Sequence, residues 1–155
     1  VEHHAYTLRE VARAAGLKTV QQIAQQPGMK AVYRITVRYK DGRKRSSVAT
    51  LRHSLGEDIV LEVVYQGLFK HKPLVHRIPI VRYEAFRSAL HKAGFDRMRD
   101  QPDVPFHGVD LWLVERAAGS FVRTLILAPE RADGTHAAVI SGVQQYLPEA
   151  LRQIE

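Results

Sequence analysis

Residues 77–95 hold the change of hydrophobic period that most limits how this chain can fold. Tyr83, Phe86, Ala89, Leu90 and Ala93 recur there at helical spacing, whereas apolar residues on either side alternate as in strands. The pattern predicts a central helix from about residue 82 to 93, across which two groups of strands share a core. Gly94 supplies the stop and Phe95 the apolar residue that packs back on it.

The strands can be placed from the alternation. Tyr33, Ile35, Val37 and Tyr39 share one parity, and Arg34, Thr36, Arg38 and Lys40 share the other, which predicts a strand with one buried face. Asp41-Gly42 predicts a type I′ hairpin turn into a return strand over residues 43–51. Ile59, Leu61, Val63 and Tyr65 mark a third strand, and Leu74, His76, Ile78 and Ile80 a fourth. A later hairpin covers residues 109–116 and 121–127, turning at 117–120. A final helical stretch over 135–154 is interrupted at Pro148.

Ahead of the strands, Leu8, Val11, Ala12 and Ala15 form a helical stripe. Thr7 and Glu10 fit a capping box there, and Gly16 a helix end. A second short helix over 19–25 stops at Pro27-Gly28. The expected fold is therefore α+β: an antiparallel sheet of about six strands in the order α-ββββ-α-ββ-α, with helices packed on the sheet. Residues 1–155 make a single domain, and 1–28 form its helical amino-terminal segment. A chain of 155 residues suffices for one core without cross-links.

Composition removes several functional classes. With no cysteine there is no disulfide, thiolate metal site or cysteine nucleophile. No apolar run reaches the roughly 20 residues a membrane span needs. No nucleophile elbow, phosphate-cradling glycine loop, zinc-protease pair or dinucleotide fingerprint is present, so the sequence nominates neither a catalytic residue nor a cofactor. His71 and His76 have no third ligand at metal-site spacing. His107, Asp110 and Glu115 are the best polar cluster, but strand alternation puts His107 and Asp110 on opposite faces.

The net charge of +7 is unevenly distributed. Up to Arg99 there are 19 basic against 8 acidic residues, and from Asp100 onward 4 against 8. Arg34, Arg38, Lys40, Arg43, Lys44 and Arg45 crowd the first hairpin beside one acid, Asp41. Such a ribbon suits a nucleic-acid backbone, each contact adding a salt-sensitive increment. Equally, cations on an exposed edge strand keep sheets from pairing edge to edge. Leu68 and Phe69, in the basic loop that follows the third strand, offer a contact point for a membrane or a partner, or fold back on the core.

Three resemblances bear on function. The run TLREVARAAGL over 7–17 resembles the first helix and turn of the helix-turn-helix headpiece in lac-repressor-type regulators, with Ala12, Gly16 and Leu17 at the motif's positions. The motif wants apolar residues at Gln22 and Gln25, whereas this chain places them at Val20 and Ile23. The runs FRSALHKAGF (86–95) and HGVDLWLVE (107–115), with Gly119, Phe121 and Pro129, resemble a layout found in uncharacterised bacterial proteins, several with export signals or lipid anchors. The element order is also similar to secretion-chaperone-like proteins, which implies binding partners as a dimer. Sequence thus ranks first a small non-catalytic binding or scaffold module that binds a protein partner or a second copy of itself. The alternative is a nucleic-acid binder using the basic hairpin and the amino-terminal helices. An enzyme is expected to show instead a deep pocket where titratable groups meet.

Overall fold

The ten-residue strand β1 (Met29–Arg38) lies at the middle of the sheet. The fold is seen in a computed structural model that describes residues 2–56, 58–68 and 72–155. Helices α1 (Glu2–Ala14) and α2 (Val20–Ala24) precede β1. After it come β2 (Ser47–Ser54), β3 (Ile59–Tyr65), β4 (Leu74–Arg77), α3 (Ile80–Ala93), β5 (Leu111–Ala118), β6 (Phe121–Leu127) and α4 (Gly134–Tyr146). The six strands form one antiparallel sheet in the order β4-β3-β2-β1-β5-β6, so β1 joins the two strand groups by pairing with both β2 and β5.

Both faces of this sheet are covered. On one, Tyr33, Ile35 and Val37 of β1 meet Leu51, Leu61, Val114 and Leu125 under α3 and α4, with Tyr83, Phe86 and Leu90 as the α3 contribution. On the other, α1 and α2 lay Leu8, Val11, Ala12, Val20 and Ile23 over Val32, Val48, Leu111, Leu113 and Ala117. The second layer changes the expectation for β1, which is not half-buried: Arg34 and Thr36 are as deeply placed as their apolar neighbours. The first hairpin is therefore not an exposed edge, and its cations do not guard one. In β5 the continuous run Leu111, Trp112, Leu113 and Val114 suits a strand buried on both sides.

Several boundaries differ from the alternation. Helix α1 already runs from Glu2, so Thr7 lies inside it and caps nothing. Residues 39–46 form an eight-residue connection and not a two-residue turn. Gly42 stays out of the left-handed region, and Asp41 accepts from the Arg43 and Lys44 amides at 3.0 Å each. β4 ends at Arg77 because Pro79 has no amide to donate to the ladder, and Ile80 opens α3. The last helix stops at Tyr146, and Pro148 starts a separate 3₁₀ turn to Leu151. The tail then straps the sheet: the Tyr65 hydroxyl donates to the Arg152 carbonyl at 2.7 Å, and the Arg45 amide to that of Ile154 at 2.8 Å.

Gly94 ends α3 at φ 83°, with a left-handed conformation and no heavy atom near the place of an added Cβ. The penalty of Gly94→Ala is therefore one of backbone conformation alone, about 1–2 kcal/mol. Urea denaturation is expected to show that loss, with Gly94→Asn losing less.

A pocket under the amino-terminal helices

The polar centre of the second face is built by strand register. Arg34 of β1 stands opposite Glu115 of β5 on one side and Thr50 of β2 on the other. Cross-strand partners on one face have Cβ atoms about 4.5–5.5 Å apart, so the three side chains share a site. The Arg34 Nε donates to Thr50 Oγ1 at 3.0 Å. Its Nη2 has no acceptor among the described residues, although Arg34 is only 3% exposed. Glu115 is 5% exposed, and its Oε2 lies 3.7 Å from Arg9 Nε on α1.

The helices roof this centre without filling it. α1 ends near Gly16, whose φ of 78° turns the chain toward α2. Thr19 starts α2 through a reciprocal capping box: its hydroxyl accepts from the Gln22 amide at 3.1 Å, and its own amide donates to Gln22 Oε1 at 2.9 Å. Between roof and sheet lies a cavity of about 310 Å³, with Arg34 and Glu115 at its base and Ala12, Leu17, Val20 and Thr19 in its walls. Arg9, Arg13 and Glu10 also line it, and Arg13 and Glu10 are bound to each other at 2.6 Å. Removing the cap with Thr19→Ala is expected to loosen this wall and lower stability by about 1 kcal/mol, read by urea denaturation.

Burial raises the Glu115 pKa above the ordinary carboxylate value, and the charges of Arg34 and Arg9 pull it back only in part. Burial likewise lowers the Arg34 pKa, opposed by Glu115 and reinforced by Arg52. Each ion is therefore less comfortable here than in water despite the other.

Of the six cations singled out from sequence, one is buried and four are engaged within the protein. Arg34 is buried at the cavity base. Arg38 lies 4.2 Å from the Phe106 ring centre and donates to the Phe106 carbonyl. Lys40 is paired with Glu130 at 2.8 Å, and Arg43 with Asp41 at 3.0 Å. Arg45 donates to the Gln66 carbonyl at 3.0 Å, and Lys44 is half-buried in the 39–46 connection. Arg82 and Arg87, on α3 across the sheet, are held by Glu149 and Glu84.

The remaining polar candidates are dispersed. His107 packs on Phe106, whereas Asp110 accepts from the Lys40 amide at 2.8 Å. His71, set aside above as a metal ligand, and Phe69, named as a contact point, lie outside the described residues. No described helix is long and apolar enough to cross a membrane. Comparison with family models, curated proteins and solved structures finds no match for the chain.

Sequence reasoning passed over Arg9 as a pocket residue and took Arg34 and Glu115 for exposed or merely structural groups. A signal existed: Val32 and Val48 have the parity of Arg34 and Thr50, and residues 111–114 carry an apolar run too continuous for a half-exposed strand.

Proposed function

We propose that this protein is a small non-catalytic binding module that takes a small molecule into the cavity between its amino-terminal helices and its sheet. The observation that carries this reading is Arg34, a guanidinium 3% exposed that lines a cavity of about 310 Å³ with one nitrogen lacking an acceptor among the described residues. Buried polar groups are ordinarily satisfied, and one that is not needs an explanation such as a water, ion or ligand that completes it. An apolar pocket with a few convergent polar groups is the usual form of a small-molecule site. This reading keeps the binding module expected from sequence but replaces its protein partner or second copy with a ligand that fits this volume. Burial of Arg34 and internal pairing of four other hairpin cations count against a nucleic-acid track.

One observation favours a second reading, an acid–base role for Glu115, whose raised pKa and place in a cavity fit a proton-transferring group. It ranks below the first because the lining hydroxyl of Thr19 is spent on its cap and Glu10 is spent on Arg13. A titration of a fragment panel into isotope-labelled protein, followed by amide chemical shifts, tests both. Binding is expected to move Ala12, Leu17, Val20 and Glu115 together. A panel that moves none of them overturns the pocket reading; conversion of a bound fragment, abolished by Glu115→Gln, replaces it with the catalytic one.

A further inference from the structure

We infer that the ligand of this cavity is a small organic monoanion, a carboxylate on a short apolar body, whose carboxylate docks on the Arg34 guanidinium. This rests on the pocket reading above and adds the chemical class. The first argument is charge. The cavity is lined by three cations, Arg9, Arg13 and Arg34, and two acids, Glu10 and Glu115. Arg13 and Glu10 satisfy each other at 2.6 Å, which leaves Arg9 and Arg34 to share Glu115. One positive charge is in excess, and the buried member of the pair has the unsatisfied donor.

Geometry gives the second argument. Thr50 holds Arg34 through Nε, and Nη2 has no acceptor among the described residues, so this guanidinium at the cavity lining uses only part of its donor set within the protein. A guanidinium is the side chain best suited to a carboxylate, and charge-assisted bonds between the two are about twice as strong as neutral ones. Ala12, Leu17 and Val20 in the walls then call for an apolar body on the acid. A phosphate monoester, at about −1.5 to −2 near neutral pH, overcompensates the single excess charge beside Glu115. A cation meets Arg34 itself. Arg9, half exposed on α1 and 3.7 Å from Glu115, adds a second cation to the lining.

The test uses benzoate and 3-methylbutanoate against their matched primary amides, with phenyl phosphate and benzylamine, each titrated into the whole chain and followed at the amides of Ala12, Leu17, Val20 and Glu115. A carboxylate is expected to bind about tenfold or more tightly than its amide, the margin of a charged hydrogen-bonded contact. Arg34→Gln is expected to shrink that ratio to about twofold or less; if this variant does not fold, the ratio in the natural chain decides alone. Amides binding as well as acids, or phenyl phosphate or benzylamine binding best, overturns the monoanion while leaving the pocket reading intact. If these six probes leave the cavity amides unmoved while other fragments shift them, the monoanion is again overturned. If no fragment of any charge shifts them, the pocket reading falls as well.

Discussion

Arg34→Met is expected to destabilise the protein by about 3–5 kcal/mol at neutral pH, because it leaves Glu115 buried with only the solvent-facing Arg9 at 3.7 Å. The Thr50 hydroxyl also loses its donor. Replacing both members, as in Arg34→Met with Glu115→Leu, is expected to recover most of that loss, since a well-packed apolar pair in such a place is often neutral or stabilising. Urea denaturation of the wild type, both single variants and the double gives the coupling between them; additive losses would mean the two charges do not interact.

The pH dependence of this cycle has a definite sign. Burial holds the Glu115 pKa above its unfolded value. Its contribution is therefore fully present below the unfolded glutamate value and is lost as pH rises through the folded one. Removing Arg34 takes away a charge that lowers this pKa, which raises it further. The penalty of Arg34→Met is thus expected to be largest near neutrality and to shrink in acid, where Glu115 takes up a proton. A penalty that does not change with pH would assign the loss to packing and not to an unpaired charge.

Phe86→Ala is expected to be comparably damaging on the opposite face, at about 3–5 kcal/mol. Phe86 is fully buried on α3, and its ring meets Tyr33 of the central strand edge-on at 5.1 Å between centres. It stands where α3 crosses the sheet, so truncation opens a hole that neither α4 nor β1 can close without moving. For a domain of this length each kcal/mol lowers Tm by about 2–4 °C. Val81, the second residue of the same helix and 78% exposed, provides the contrast. Val81→Ala is expected to change stability by no more than about 0.5 kcal/mol. Equal losses at both positions would mean that α3 is held by something other than this aromatic contact.

Much of the architecture was legible because it is local. Helix α3 announces itself in Tyr83, Phe86 and Leu90, and its end in Gly94 followed by Phe95, where only a left-handed residue lets the chain reverse. Strand β3 follows directly from Ile59, Leu61, Val63 and Tyr65, all buried, with the residues between them only half-buried. Where expectation failed, a competing local or tertiary term was stronger. Asp41-Gly42 looked like a tight hairpin, yet Asp41 spends its side chain on the Arg43 amide and the turn opens into eight residues.

The pocket was legible in pieces and not as a place. Parity puts Arg34 on the side of β1 opposite to Tyr33, and no more than that follows from alternation. Whether that side meets water depends on pairing between β1 and β5, some eighty positions apart, and on α1 and α2 closing over it. The sequence by itself determined the elements, their amphipathic faces and their stops, since hydrophobic period and glycine or proline chemistry act over a few residues. Only the tertiary structure decided that β1 is central, that Arg34 and Glu115 stand side by side and that helices cover them, because strand order and layer packing are set by contacts that local periodicity does not encode.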